Sequence, residues 1–392
     1  MNIKPILLFT LLFVACTNLN AQPLQETVAG NNQFSFELMR ELYKPGEDLF
    51  FSSYSLSGAL AMTRAGANGT TASEMDNVLH YPGDSVHAGF KSLNQHLKQI
   101  SLRDTMRLDI ANALWSRIPM KETFRALTEK YYGAAVYPLT TEQPINDWAA
   151  RNTNNRIPLI LAPGAITPDV AMVLTNAIYF KGNWATQFDE NLTAEAPFFR
   201  SDKSEVPVKM MSREGYFNYH ETKNYQMLSI PYKGNSLSMV VILPEKNGSL
   251  TTVLAALSSI KVEDQLVKSQ PTKAHVWLPR FEMNTSYELV DPMKKLGMPA
   301  AFMQDADFSG IPKMMKNLWI GGIIQKAFVG VTEKGTEAAA VTAVIMVTLS
   351  SIQPREPEPV KTFRADHPFI FLIRDNETGC ILFSGISETP SI

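Results

Sequence analysis

Hydrophobic positions in the first third of the chain mostly recur at helical spacing, while those in the remainder fall into short apolar runs. Asn31 to Tyr43 (NNQFSFELMRELY) carries apolar residues three and four apart behind a starting asparagine, which predicts a helix. Asp48 to Ala65 reads as a short strand running into a buried helix, and Leu108 to Trp115 (LDIANALW) as a strand. Ile145 to Ile157 predicts a helix that ends in a polar turn. Val173 to Phe180 (VLTNAIYF) is almost continuously apolar, as in a strand covered on both faces. Tyr225 to Leu243 predicts a hairpin turning at Lys233-Gly234-Asn235. His275 to Phe281 and Phe369 to Ile373 read as further strands. Helices early and strands later make an α+β protein with large, mostly antiparallel sheets, and no internal repeat is visible.

One stretch breaks the pattern. Thr336 to Leu349 (TEAAAVTAVIMVTL) has no proline or glycine and a single charge, so on pattern alone it is a core strand. Gln353 to Pro359 (QPREPEP) follows at once, with three prolines and three charges in seven residues, and cannot be a regular buried element.

Composition adds limits. The 392 residues are 45% hydrophobic and 19% charged, which is ordinary for a globular chain. Length alone would allow two or three domains, but the only proline-rich run lies too near the C-terminus to separate them. With 36 basic and 38 acidic residues well mixed, no basic stripe points to nucleic acid or an anionic membrane. The start, MNIKPILLFTLLFVACTNLNAQ, reads as a signal peptide over residues 1–21: Lys4, an apolar stretch from Ile6 to Ala15, and Leu19-Asn20-Ala21 before Gln22. The apolar stretch is half the length a membrane-spanning helix needs. A second processing route is open, because Phe13-Val14-Ala15-Cys16 resembles a bacterial lipobox, with cleavage after residue 15 and lipidation of Cys16. Either route takes the protein out of the cytoplasm: secreted, extracellular or periplasmic in the first, anchored at the outer membrane through Cys16 in the second. Cleavage after Ala21 leaves Cys380 alone, so no internal disulfide framework forms and residues 22–392 must be stabilised by one large core.

The chain carries little that suggests catalysis. No two of the six histidines (His80, His87, His96, His220, His275, His367) are spaced i, i+4, and there is no HExxH, CxxC, GxSxG or phosphate-binding loop. No metal or cofactor is expected. A Ser-His-Asp triad is a matter of geometry, so an exported hydrolase stays as a third hypothesis.

Several segments resemble the serpin family. NAIYFKGNW (Asn176 to Trp184) is its most recognisable strand, and FFSSYSLSGALAM (Phe50 to Met62), SIPYKGNSLSMVVILP (Ser229 to Pro244) and LPRFEMNTSYEL (Leu278 to Leu289) are similar to its other segments. LGMPAAFMQDADFSGI (Leu296 to Ile311) and HPFIFLIRDNETGCILFSG (His367 to Gly385) extend the likeness over about residues 28–390. EKGTEAAAVT resembles the serpin hinge: Glu333, Gly335, Thr336, Glu337, Ala338, Ala339, Ala340, Val341 and Thr342. The resemblance implies a single domain with three β-sheets, a large central one among them, about nine helices and an exposed reactive-centre loop over about 333–362. It also accounts for the anomalous stretch: a bait loop that becomes a buried strand once cleaved.

At the family's spacing, the residue sixteen beyond Glu333 donates the attacked carbonyl, which assigns Leu349–Ser350 as the reactive bond, with Val347 and Thr348 as alternatives. Eighteen residues separate Leu349 from Pro368, more than in many family members. On insertion, alternate residues from Thr336 through Ala338, Ala340, Thr342, Val344 and Met346 to Thr348 face inward; none is charged and the early ones are small. Leu349 suggests chymotrypsin-like, cathepsin G-like or elastase-like serine proteases, with papain-like cysteine proteases as a secondary class.

Ser52, Ser55 and Asn176 match the family's shutter, where Gln325 replaces its histidine. Lys181 and Trp184 lie near the expected entrance of the loop, Trp184 either as ordinary core or as a gate. Ser53 stands where the family usually has proline, and Gly330 where it often has glutamate. Lys91 and Lys98 are too sparse for a glycosaminoglycan site. The expectation is a monomeric covalent-trapping protease inhibitor and not an enzyme; the alternative is a non-inhibitory binding or chaperone-like serpin.

Overall fold

The computed structural model describes residues 6–103, 106–314, 318–336 and 359–391. Helix follows the helical periodicity. One helix, α1 (Ile6–Leu42), contains the predicted Asn31 segment and runs back through the apolar stretch before it. After β1 (Leu49–Phe51) come α2 (Ser53–Arg64), α3 (Gly69–Leu79), α4 (Ser85–Arg103), β2 (Arg107–Ser116), α5 (Glu122–Tyr132), β3 (Ala135–Pro138), α6 (Glu142–Asn152) and β4 (Met172–Asn183). Strands then dominate: β5 (Ala194–Phe199), β6 (Glu205–Glu221), β7 (Tyr225–Pro231), β8 (Leu237–Pro244), β9 (Gln270–Pro279) and β10 (Phe281–Glu288), with α7 (Leu250–Ala256) and α8 (Ser259–Lys268) between β8 and β9. The chain closes with α9 (Val290–Leu296), β11 (Ile324–Thr332), β12 (Gly335–Thr336), β13 (Lys361–Arg364), β14 (Phe369–Asp375) and β15 (Ile381–Ser387).

These strands form a six-stranded sheet, β10-β11-β12-β4-β2-β3, and a nine-stranded path, β1-β15-β14-β8-β7-β6-β9-β13, with β5 added on β6. The nine-stranded path is thin where β6 meets β7, at four residue pairs from Asn218↔Ser229 to Glu221↔Gln226. Counting the five strands on one side of that ladder and the four on the other separately, the described residues form three sheets.

The predicted single strand His275–Phe281 is two strands, β9 and β10, broken at Arg280. The core lies between the central sheet, the five-stranded sheet and α1, α2 and α4. Every residue of β8, β14 and β15 is buried, as their near-continuous apolar runs require. Phe50 stacks between Phe371 and Phe383, at 5.8 and 5.4 Å. Gly385 makes the room, because a Cβ there would stand 2.3 Å from the Phe371 ring. A second, smaller cluster (Trp115, Ile145, Trp148, Ile157) seats α6 on one face of the central sheet.

Candidate functional site

The site is the turn between β11 and β12 with what surrounds it. Glu333 and Lys334 form the turn, and Gly335–Thr336 then runs antiparallel to both neighbours: Val331↔Thr336 on β11 and Thr336↔Gly182 on β4. Among the described residues, β11 and β4 are joined through β12 alone. The first two residues after the turn therefore already hold a place in the middle of the central sheet.

Only glycine fits at 335. Its φ is +152°, and a Cβ would fall 2.1 Å from the Gly182 carbonyl oxygen and 2.6 Å from Asn183 Cα. Thr336 is buried, and its hydroxyl lies 2.7 Å from Tyr232 Oη. Tyr232 is itself fully buried, stacked on Trp184 at 4.7 Å and edge-on to Phe180 at 4.9 Å. Burial pushes the Tyr232 hydroxyl's pKa far upward, against a smaller opposing effect of the Thr336 bond, so it acts as a neutral hydrogen-bonding group.

Several hydrogen bonds anchor the turn. Trp184 donates its indole N–H to Thr332 O (2.9 Å) and its backbone N–H to Lys334 O (2.9 Å). Phe188 N–H donates to Glu333 O at 2.9 Å. The Glu333 carboxylate, 3% exposed, accepts from Arg280 Nε at 2.6 Å and Thr193 Oγ1 at 2.5 Å. Lys334 pairs with Glu190 at 3.3 Å on the outer side. Trp184 is both core, at 1% exposure, and a direct contact of the turn. Lys181 lies on β4 opposite Arg107, and no described ion pair ties it to the turn.

Further down the same sheet, Gln325 and Ser52 hold each other: Gln325 Nε2 donates to Ser52 O at 2.9 Å, and Ser52 N–H donates to Gln325 Oε1 at 3.2 Å. Ser52 Oγ also caps α2 by accepting from Ser55 N–H (3.1 Å) and donates to Leu382 O (2.7 Å). Asn176 pairs with Asn112 in the β4–β2 ladder. Ser53 takes the first helical position of α2, where proline is otherwise favoured, and its hydroxyl reaches Ile381 O at 3.4 Å. Gly330 faces Glu282 across the β10–β11 ladder, so a glutamate there would set two carboxylates side by side. Outside the central sheet, the turn after α6 touches both strands that flank β12: Asn154 reaches Tyr179 of β4 at 3.5 Å, and Arg156 covers the Phe328 ring of β11 at 4.6 Å.

The remaining predicted loop residues, Glu337 to Thr342 and Val347 to Ser350, lie outside the described residues, as does the side chain of Cys16. Sequence reasoning missed Arg280, Thr193, Tyr232 and Phe188. The signals for two of them were present in segments already singled out: a lone arginine interrupting the apolar run LPRF, and a tyrosine just before the hairpin turn of SIPYKGN. Among the described residues, no cluster of three metal-ligating side chains occurs, and no helix is long and apolar enough to cross a membrane.

Residues 29–390 match the family model described as serpin (serine protease inhibitor). An uncharacterised serpin-like protein of Thermococcus kodakarensis is 39% identical over 370 residues, 92% of this chain and 84% of that protein. The leukocyte elastase inhibitor of Bos taurus is 34% identical, with 94% of this chain and all of that protein covered. Among solved structures, the thermophilic serpin tengpin in its native state superposes with a TM-score of 0.82 at 29% identity, covering 92% of this chain and 94% of that one.

Proposed function

This chain belongs to the serpin family, and we propose that within it the protein is a suicide inhibitor of serine endopeptidases, cleaved at about Leu349–Ser350. The observation that carries this reading is β12: Gly335–Thr336 already pairs on both sides, between β11 and β4, at the point where a longer strand would enter. The sequence beyond Thr336 suits such a strand, with small residues first and no charge in the inward register.

In the mechanism this implies, the protease's serine hydroxyl attacks the Leu349 carbonyl carbon. The peptide bond to Ser350 breaks, the new amine leaves with the proton, and an ester joins the protease to Leu349. The freed segment then adds to the sheet behind Thr336. Ten or more new backbone hydrogen bonds, at roughly 0.5–1.5 kcal/mol net each, supply much of the driving force. Sixteen extended residues span roughly 50 Å, so the attached protease is carried across the molecule and distorted before water can cleave the ester. Insertion competes with deacylation, and slowing it by about 1.4 kcal/mol shifts the outcome tenfold toward simple cleavage. Leu349 favours chymotrypsin-like, cathepsin G-like and elastase-like enzymes, with papain-like cysteine proteases second. The leader supports export, either free after cleavage at Ala21 or lipid-anchored at Cys16, and intact mass of the mature protein separates the two.

The test is incubation of the protein from residue 22 onward with chymotrypsin and with a neutrophil-type elastase. An SDS-resistant species near the summed masses, with a released peptide beginning at Ser350, supports trapping and the assigned bond. A peptide that begins elsewhere keeps the mechanism and moves the specificity residue. Clean cleavage without adduct or gain in heat stability favours a non-inhibitory binding serpin.

A further inference from the structure

Arg213 carries a charge that no described carboxylate answers. It lies on β6, with its guanidinium over two rings, 5.2 Å from the Phe188 centroid and 4.5 Å from that of Phe217. One N–H donates to the Thr186 carbonyl. The other four of the five guanidinium N–H groups have no partner among the described residues. Three other arginines do meet an acid: Arg64 pairs with Asp76, Arg280 with Glu333 and Arg374 with Glu263.

Burial alone lowers the Arg213 pKa to about 10, and no neighbouring carboxylate raises it. The group is still charged at neutral pH. A partly buried cation without a counter-ion is unfavourable, and any anion that reaches it removes that penalty. The two ring contacts use no N–H donor, so the unpaired N–H groups stay available for hydrogen bonds. The rings also hold the side chain in one place, so little conformational freedom remains to be lost on binding.

We propose that the in-plane edge of Arg213 is a binding site for a small free oxyanion, a carboxylate, sulfate or phosphate, recognised by forked N–H donation. The site is next to the hinge. Phe188, one of its walls, donates its backbone N–H to Glu333 O at 2.9 Å and lies edge-on to Trp184 at 6.4 Å. An anion that draws Arg213 and Phe188 together thus also steadies the turn that begins β12.

The experiment titrates sulfate, with sodium chloride holding ionic strength constant, into the full protein and its Arg213→Gln and Arg213→Lys variants. Binding is read by calorimetry and by thermal unfolding without any protease, so the result is independent of inhibitory activity. The expected result is one millimolar site with a saturable rise in melting temperature of about 2 °C, absent in Arg213→Gln. Acetate and phosphate arms rank the anion classes, and saturable binding of any one that depends on Arg213 supports the site. An equal, non-saturating rise in the wild type and Arg213→Gln is a general salt effect and overturns it. Should Arg213→Gln not fold, Arg213→Lys decides, since it keeps the charge and loses the fork: several-fold weaker half-saturation supports the site, and unchanged half-saturation overturns it.

Discussion

Arg280 and Glu333 meet at the turn between β11 and β12, with Arg280 Nη2 2.5 Å and Nε 2.6 Å from the same carboxylate oxygen. The two ends of the pair are unequal, because the glutamate side chain is 3% exposed and the arginine 30%. Arg280→Met strands a buried carboxylate with Thr193 as its remaining side-chain donor, whereas Glu333→Gln leaves a neutral amide facing a half-wet arginine. Arg280→Met is therefore expected to lower stability by about 2–3 kcal/mol and Glu333→Gln by about 1–2 kcal/mol. Urea denaturation midpoints check the order; equal losses would mean that the carboxylate is solvated once Arg280 is gone.

Gly335→Ala places a methyl group 2.1 Å from the Gly182 carbonyl, against rigid strand backbone. The expected outcome is displacement of β12, at a cost of about 1–3 kcal/mol, with faster amide exchange at Thr336. Exchange mass spectrometry over 331–336 is the measurement, and unchanged protection there would refute the steric argument.

Gln325→Met keeps the volume and removes both hydrogen bonds to Ser52, leaving the buried Ser52 N–H unpaired while the Ser52 C=O keeps Leu56 N–H at 3.2 Å. A loss of about 1–3 kcal/mol is expected. Ser52→Ala removes the cap of α2 and the donation to Leu382 instead, for about 1–2 kcal/mol. Because both act through Ser52, the double variant should lose less than the sum, which a double-mutant cycle measures.

His87 supplies a pH dependence. It is buried on α4 with Nδ1 2.7 Å from Tyr132 Oη, and burial lowers its pKa below the ordinary 6.5, although Asp84 partly opposes this. As pH falls through about 6.5, the unfolded chain takes up a proton that the folded protein still refuses. Stability present above that pH is lost as the pH drops. Denaturation midpoints near pH 7.5 and 5.5 should therefore differ by less in His87→Gln than in the wild type, whatever the absolute stability of the variant.

Element type and order were legible in the chain because periodicity is a local property. Helical spacing announced the segment at Asn31, a continuous apolar run announced β4, although Val173, Leu174 and Ile178 are only half-buried and not covered on both faces, and Lys233-Gly234-Asn235 announced the hairpin of β7 and β8, where Gly234 and Asn235 do take positive φ. The hinge from Glu333 and the reactive bond at Leu349–Ser350 both rest on the resemblance, and everything from Glu337 to Ser350 lies beyond the described residues. The partners of the β11–β12 turn and of Gln325 were decided by tertiary structure. Glu333 binds an arginine 53 positions away, Thr336 a tyrosine 104 away, Thr332 a tryptophan 148 away, and Gln325 a serine 273 away. Strand register between distant segments sets such pairs, and no spacing along the chain encodes it. Arg213 belongs to the same class: its sequence says only that it is charged, and the fold alone brings it over two rings with no described acid beside it.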